Sequence, residues 1–452
     1  MNVIDAQATE SEEVLIQRAG YAVATAALRM LGGSYGRRVT IIAGKGNNGQ
    51  DGRVAAQLLQ RRGVRCKLNT PGPDVLPDAD LVIDAAYGTG LRDSWEPPPQ
   101  PQCPVLAVDI PSGVDGLTGE DRGSLQAQQT ITFGALKPGL LLEPGASRAG
   151  NIEISDLGLG ITRSRSHLIT AQDLLAPLSQ RTATDHKWTN AVRLIAGSPG
   201  MTGAAQLAAS GALRAGAGMV VASSPTTDIQ PRDMPTEVVT RQLPHDDWLP
   251  EVLKDLERFA DLLIGPGLGT ELHTLATTAE LIERAPIPTI VDADGLTALA
   301  THPSVLKRRT FPTVLTPHDR EFEKLTGSPP ALDRCDAVRS AAQNSVVLLK
   351  GPTPLVSAPP GDLIFVRNAN QRLATAGTGD VLTGIIGALI RNTPAHLAAA
   401  AAAHWHGQAA QLAHPGMTAS DLPSLLQSAR SVMFSTCTTP SAPHGVTSIS
   451  PL

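Results

Sequence analysis

The chain has 452 residues, of which 42% are hydrophobic and only 3% aromatic, and its formal net charge at pH 7 is −5. This length exceeds one ordinary core, so two domains with interiors of Ala, Leu, Val and Ile are expected. No basic stripe interleaves with aromatics, which argues against a nucleic-acid partner. The longest apolar stretch, Leu397 to Ala403, is too short to span a bilayer.

At the start, Met1 to Arg18 carries Asp5, Glu10, Glu12 and Glu13 and lacks the cationic start and apolar run of a signal peptide. Cys66, Cys103, Cys335 and Cys437 form no CxxC pair, which fits a reducing compartment. A cytoplasmic protein is expected. Val39–Ala43 reads as a buried strand, followed by a Gly-rich loop and a helix from Arg53 to about Arg62. Further strands are expected at Leu81–Ile83, Val105–Val108, Thr130–Phe133 and Ile152–Ile154. Short apolar strands alternating with helices imply an α/β domain around a mostly parallel sheet. The text turns polar after Leu159, and the first domain is placed at 1–175.

A second α/β series fills 176–430, with strands at Val192–Ala196, Met219–Ala222, Asp261–Ile264, Pro288–Val291, Thr313–Leu315, Val346–Leu349 and Leu363–Val366. Helices are expected from about Gly203 to Ala215, Asp380 to Arg391 and Ala395 to Ala413. The Ser-, Thr- and Pro-rich end, 431–452, reads as a disordered tail.

The loop Gly44-Lys45-Gly46-Asn47-Asn48-Gly49-Gln50-Asp51-Gly52 joins a strand to a helix. Its glycines admit a ligand to the backbone, and the helix start offers free N–H groups. Asp84-Ala85-Ala86-Tyr87-Gly88-Thr89-Gly90 and Asp109-Ile110-Pro111-Ser112-Gly113 also follow strands. Taken singly, each aspartate is more often a turn or helix cap. Three such loops on the carboxyl edge of one parallel sheet make a site.

NNGQDG, DAAYGTGL, VLAVDIPSGVDGLTG and TFGALKPG, in that order, resemble the motifs of the NAD(P)H-hydrate epimerase domain, a Rossmann-like three-layer fold. The resemblance implies that Asn47, Asn48, Gly49, Gln50 and Asp51, together with Gly88, Thr89, Gly90, Leu91, Arg92, Asp93 and Ser94, contact a hydrated nicotinamide nucleotide. By the same likeness Asn48, Asp84 and Ser112 hold potassium, and Asp109 is the substrate-binding proton-transfer group. Gln50 stands where the family usually has glycine.

In the second half, Gly197 to Ala205, Gly265 to Gly269, Asp292-Ala293-Asp294 and Thr316-Pro317-His318 follow strands. The sharpest cluster is Ala374 to Leu382, ATAGTGDVL. Small residues leading into an apolar helix expose N–H groups to an anion, and Asp380 at the helix start can accept a proton during phosphoryl transfer. A capping aspartate is the plainer reading of that residue alone. Lys350-Gly351 adds a cation at the same edge.

GSPGMTGAA, GPGLG, VDADGL, VVLLKG and LATAGTGDVLTGIIGAL resemble the ribokinase-like, ADP-dependent NAD(P)H-hydrate dehydratase. The resemblance implies that Ala204, Gly267, His318 and Asp380 contact substrate, that Lys350, Gly351, Pro352, Thr353, Pro354 and Gly379 bind ADP, and that Asp380 is the catalytic base. Asp319-Arg320 and Gln371-Arg372 depart from the family's usual Pro-Gly.

Together the likenesses imply repair of hydrated NADH and NADPH. The first half would interconvert R and S hydrates. The second would dehydrate the S form with ADP and magnesium, giving AMP and phosphate. A homo-oligomer is implied as well. The rival reading is a ribokinase-like kinase of a small alcohol with an N-terminal nucleotide-binding module. His404 and His406, two apart on a helix, do not form a metal pair.

Overall fold

The computed structural model describes residues 10–159, 164–178, 182–367 and 370–438. The described residues divide into two compact units between Arg165 and Ser166. This lies before the boundary expected at 175, because Ser166–Leu168 forms a strand of the second sheet.

The first unit begins with helix α1 (Glu12–Leu31), which the sequence reading missed. Ser11 caps it, Glu12 and Glu13 face its positive end, and Gly32 in the left-handed conformation stops it. Then come β1 (Arg38–Ala43), α2 (Asn47–Arg61), β2 (Arg65–Asn69), β3 (Leu81–Ala85), β4 (Val105–Val108), β5 (Gln129–Phe133) and β6 (Asn151–Ser155). All six strands are parallel, in the order β2-β1-β3-β4-β5-β6. The winding direction reverses between β1 and β3, so the loops after these strands part to leave a crevice.

Helices α1 and α2 cover one face, packing Ala19, Val23, Ala27 and Leu59 on Val39, Ile41 and Ile83. Leu76, Tyr87, Trp95, Leu125 and Ala127, from connecting segments, cover the other. Helix α2 starts at Asn47, not Arg53, so the Asn-rich loop is itself the helix's first turn. Glycine is needed there: a Cβ on Gly49 would fall on the Gly44 carbonyl, and one on Gly44 on the Ala86 carbonyl. This close approach brings α2 against β1 and β3.

The second unit contains β7 (Ser166–Leu168), β8 (Ala191–Ile195), α3 (Thr202–Ala215), β9 (Met219–Ser223), β10 (Val239–Thr240), β11 (Asp261–Ile264), α4 (Leu272–Arg284), β12 (Thr289–Val291), α5 (Asp294–Thr301), β13 (Thr313–Leu315), α6 (Asp319–Thr326), α7 (Arg334–Ala341), β14 (Val346–Leu349), β15 (Leu355–Ala358), β16 (Asp362–Phe365), α8 (Thr378–Ile390), α9 (Ala395–Leu412) and α10 (Leu422–Thr438). Its ten strands run β10-β9-β8-β11-β12-β13-β14-β15-β16-β7, parallel from β10 to β14, with β15 antiparallel to both neighbours. The reversal lies between β8 and β11. Helices α3 and α8 meet through small residues: a Cβ on Gly384 would fall on the Ala208 carbonyl, and one on Gly211 would lie 2.5 Å from the Val381 carbonyl. The tail expected from 431 is corrected in part, since 431–438 continue α10; residues 439–452 lie outside the described residues.

Asp261 is fully buried at the start of β11, and neither carboxylate oxygen has a hydrogen-bond partner. Burial raises its pKa well above the usual carboxylate value. A raised folded-state pKa favours the protonated form, so ionisation destabilises the fold once pH passes the unfolded-state value near 4. Asp261→Asn is therefore expected to raise thermal stability increasingly with pH, by up to about 1.4 kcal/mol per pH unit. Melting curves from pH 5 to 8 test this; parallel pH profiles for the two proteins reject it.

Candidate active sites

In the first unit a cleft of about 1050 Å³ opens beside the β1/β3 crevice. Asn47, Asn48, Asp51, Gly88, Thr89, Gly90, Leu91, Arg92, Asp93 and Asp109 line it, joined by Glu12, Tyr87, Phe133 and Lys137. Of the residues expected to touch a ligand, Gly49, Gln50 and Ser94 are absent from this lining. Gly49 packs against Gly44, and Gln50 is exposed with its amide 3.5 Å from Asn47 Oδ1. Gln50 therefore lies outside the cleft lining, beside Asn47 within it.

Asp109 sits at the end of β4 with φ +67°, a conformation costing a non-glycine residue about 1–3 kcal/mol. Asp109, Leu157 and Ala293 are the non-glycine residues with positive φ among the described residues. Asp109 and Leu157 line this cleft, and Ala293 lies between Asp292 and Asp294 of the second site. Lys137, absent from the sequence-based site, pairs with Asp109 and donates to Thr132 Oγ1 (2.9 Å) and the Phe133 carbonyl (2.8 Å). Its side chain is only 5% exposed. The Lys in TFGALKPG was the available signal, but its importance depends on burial and on this partner. Asp51 is buried, and burial, then the nearby negative charge of Asp109, pushes its pKa up to about 8. It is a neutral acid at pH 7 facing a carboxylate held by an ammonium.

Asp84 and Ser112 also meet, and Asn48 lies beside Gly88 of the loop that follows Asp84. Ser112 donates from Oγ to Asp84 Oδ1 (2.6 Å) and from its backbone N–H to Oδ2 (2.8 Å). Ser112 Oγ accepts from the Tyr87 N–H (2.8 Å). A Cβ on Gly88 would lie 3.7 Å from both Asn48 Cγ and Asp109 Oδ2, so Asn48 and Asp109 flank Gly88. Burial raises the pKa of Asp84 against the hydrogen bonds from Ser112 and Ala86. Both polar atoms of the Asn48 amide are buried without a partner. Oxygen donors of this kind, with one buried carboxylate, suit a hard cation of low charge.

In the second unit the loops after β8 and β11 meet at the crevice: a Cβ on Gly267 would lie 3.0 Å from Ala204 Cβ. The Gly269 N–H donates to Asp294 Oδ2 (2.8 Å). Lys350, after β14, pairs with Asp292 (2.9 Å) and lies 3.6 Å from Glu321. Thr383 of α8 donates to Asp292 Oδ2 (2.8 Å). Although burial raises the pKa of Asp292, the Lys350 charge and hydrogen bonds from Lys350, Thr316 and Thr383 outweigh it and hold the carboxyl below its ordinary value. Asp380 is the reverse case: burial, then the charges of Asp292, Glu321 and Asp294, lift it to about 7 against the pull of Lys350. A base with this pKa is half-ionised at neutral pH, which suits general-base work.

His318 is placed differently from a simple ligand contact. It caps α6, its Nδ1 accepting from the N–H groups of Arg320 (3.2 Å) and Glu321 (3.3 Å), while Nε2 lies 3.5 Å from Glu321. Glu321, missed from sequence, thus links His318 to Lys350. Asp319 forms a two-bond ion pair with Arg334, and Arg372 reaches toward the Ala410 carbonyl (3.4 Å). Asp319 and Arg372 thus find partners within the second unit.

Beside Lys350 is a pocket of about 280 Å³, lined by Lys350, Gly351, Pro352, Pro354, Thr378 and Gly379 with Leu348, Leu373 and Leu382. Thr353 is buried outside that lining. Among the described residues no helix is long and apolar enough to cross a membrane.

A family model described as NAD(P)H-hydrate dehydratase matches residues 192–430, and one described as YjeF-related protein N-terminus matches 12–75 and 66–139. The bifunctional NAD(P)H-hydrate repair enzyme Nnr of Moorella thermoacetica is 36% identical over 461 residues, covering 88% of this chain and 87% of the relative. The chain belongs to the bifunctional NAD(P)H-hydrate repair enzyme family. The Escherichia coli member is 32% identical, covering 86% and 84%. The Bacillus subtilis ADP/ATP-dependent NAD(P)H-hydrate dehydratase, co-crystallised with ATP and Mg²⁺, has a TM-score of 0.50 at 29% identity, covering 59% of this chain and 98% of that one. A ribokinase-like protein of Enterococcus faecalis, at TM-score 0.51 and 20% identity, covers 61% and 98% and shows the fold. In this repair family the two units are the Rossmann-like epimerase and ribokinase-like dehydratase domains. The small-alcohol kinase reading has no support among these relatives.

Proposed function

We propose that the chain repairs hydrated NADH and NADPH, epimerising them in the first unit and dehydrating the S hydrate in the second with an adenine nucleotide as phosphoryl donor. The carrying observation is the gathering of Asp380, Asp292, Lys350 and the α8 N-terminus at one sheet edge. Hydroxide is a poor leaving group. Asp380 takes the proton of the substrate hydroxyl as its oxygen attacks the β-phosphorus of ADP, and AMP departs. The substrate's C–O bond then breaks with loss of a proton from the neighbouring ring carbon, which restores the double bond and releases phosphate. Lys350 and the N–H groups at the start of α8 hold the phosphates. Asp292, Asp294 and Glu321 are the carboxylates that would hold magnesium, which would supply neutralisation of the phosphate charge.

In the first unit Asp51, held neutral, gives a proton to the departing hydroxyl of either epimer. Asp109, positioned by Lys137, takes a proton when water returns on the opposite face. Asn48, Asp84 and Ser112 would hold potassium, which would tie together α2, β3 and the loop after β4. The setting is a cytoplasmic homo-oligomer.

The test supplies hydrated NADH and ADP to the whole chain and follows NADH absorbance together with AMP. One AMP formed per NADH regained, abolished by chelating magnesium, is expected. NADH regained without AMP would overturn the nucleotide's role.

A further inference from the structure

His406 lies mid-way along α9, is only 4% exposed, and lines the pocket beside Lys350. Its Nε2 is buried without a hydrogen-bond partner, and the Thr378 backbone is a hydrogen-bonding neighbour of the ring. The rest of that lining combines the polar residues Lys350, Asn370, Thr378 and Gly379 with the apolar Leu348, Leu373, Leu382 and Ala403. A lining of this kind beside a helix N-terminus and a lysine has the form of a base-and-phosphate site.

We propose that His406 reads the base of the nucleotide, its free ring nitrogen accepting a hydrogen bond from the exocyclic amine of adenine. This inference rests on the reading of the pocket as the nucleotide site. Burial, with a smaller contribution from the Lys350 charge, lowers the imidazole pKa to about 4 against the Thr378 hydrogen bond, so the ring is neutral near pH 7. A neutral imidazole has one donor and one acceptor. With the Thr378 backbone engaging one ring nitrogen, the unpartnered Nε2 is left as the acceptor. Adenine presents an N–H there, and hypoxanthine presents a carbonyl oxygen, lone pair against lone pair. To accept the carbonyl, the ring must reverse its tautomer and give up the bond to Thr378, which belongs to the turn that leads into Asp380. Sites built to hydrogen-bond one group discriminate strongly against ligands lacking it.

Calorimetric binding of ADP, IDP and 3′-deoxy-ADP to the whole chain, as wild type, His406→Leu and His406→Gln, tests this. Wild type is expected to prefer ADP over IDP by at least about tenfold. His406→Leu should weaken ADP and 3′-deoxy-ADP about tenfold and leave IDP within twofold. His406→Gln, whose amide oxygen still accepts, should keep most of the preference. Equal weakening of all three nucleotides by Leu would assign His406 to packing, and weakening of ADP and IDP with 3′-deoxy-ADP spared would assign it to the ribose hydroxyl; either overturns the proposal. Lys350→Met separates the underlying reading: it should weaken all three nucleotides, and if it weakens none, the pocket is not the nucleotide site.

Discussion

Asp380→Asn is expected to lower dehydration of the S hydrate by about 10²- to 10⁴-fold, the usual contribution of a general base, while R and S continue to interconvert. The substitution keeps shape and removes only the ability to take a proton. The wild-type pH profile should follow the same group. With its pKa lifted to about 7 by burial and the surrounding carboxylates, Asp380 is protonated and idle below pH 6 and ionised above pH 8. kcat/KM for the S hydrate should therefore climb through a midpoint near 7. Lys350→Met removes the cation that favours the ionised form, so the residual activity should show that midpoint at higher pH. A flat profile between pH 5 and 8 rejects Asp380 as the base.

Asp109→Ala is expected to slow epimerisation by at least about 100-fold without affecting dehydration of purified S hydrate. Lys137→Met should cause a similar loss, because an unpaired Asp109 loses the ammonium that orients it. Asp51 gives this half the opposite pH dependence. Its pKa of about 8 means that its acid form is present at pH 7 and lost as pH rises, so epimerisation should fall above pH 8 where dehydration has reached its plateau. Asp51→Asn should remove that descending limb together with most of the activity. Exchange of R into S, followed chromatographically without ADP, measures both. Persistence of the descending limb in Asp51→Asn assigns it to another group.

Much of the fold was legible because parallel strands buried on both faces read as continuous apolar runs: Val39–Ala43, Val105–Val108, Asp261–Ile264 and Val346–Leu349 all fall on strands. The misses follow from the same physics. Strand β2, Arg-Cys-Lys-Leu-Asn, is an exposed edge with no apolar run to find. Helix α1 buries mostly alanine and glycine, so its apolar face is faint in sequence. In the sites, residues flanked by glycine after strands were legible because topology alone gathers them. Lys137, Glu321 and His406 were not. Each matters through a partner distant in sequence, and in the sequence His406 suggests nothing beyond a metal pair with His404, which the helix geometry rejects. The structure instead places it in the pocket beside Lys350, next to the Thr378 backbone.

One complementation assay separates the two centres. Pure R hydrate is supplied with ADP and magnesium to Asp109→Ala, to Asp380→Asn, and to an equimolar mixture, and NADH is followed. Each variant alone should yield NADH no faster than spontaneous epimerisation or dehydration allows, and the mixture should restore steady production. Rapid NADH formation from R hydrate by Asp109→Ala alone would mean that the first unit is not the epimerase.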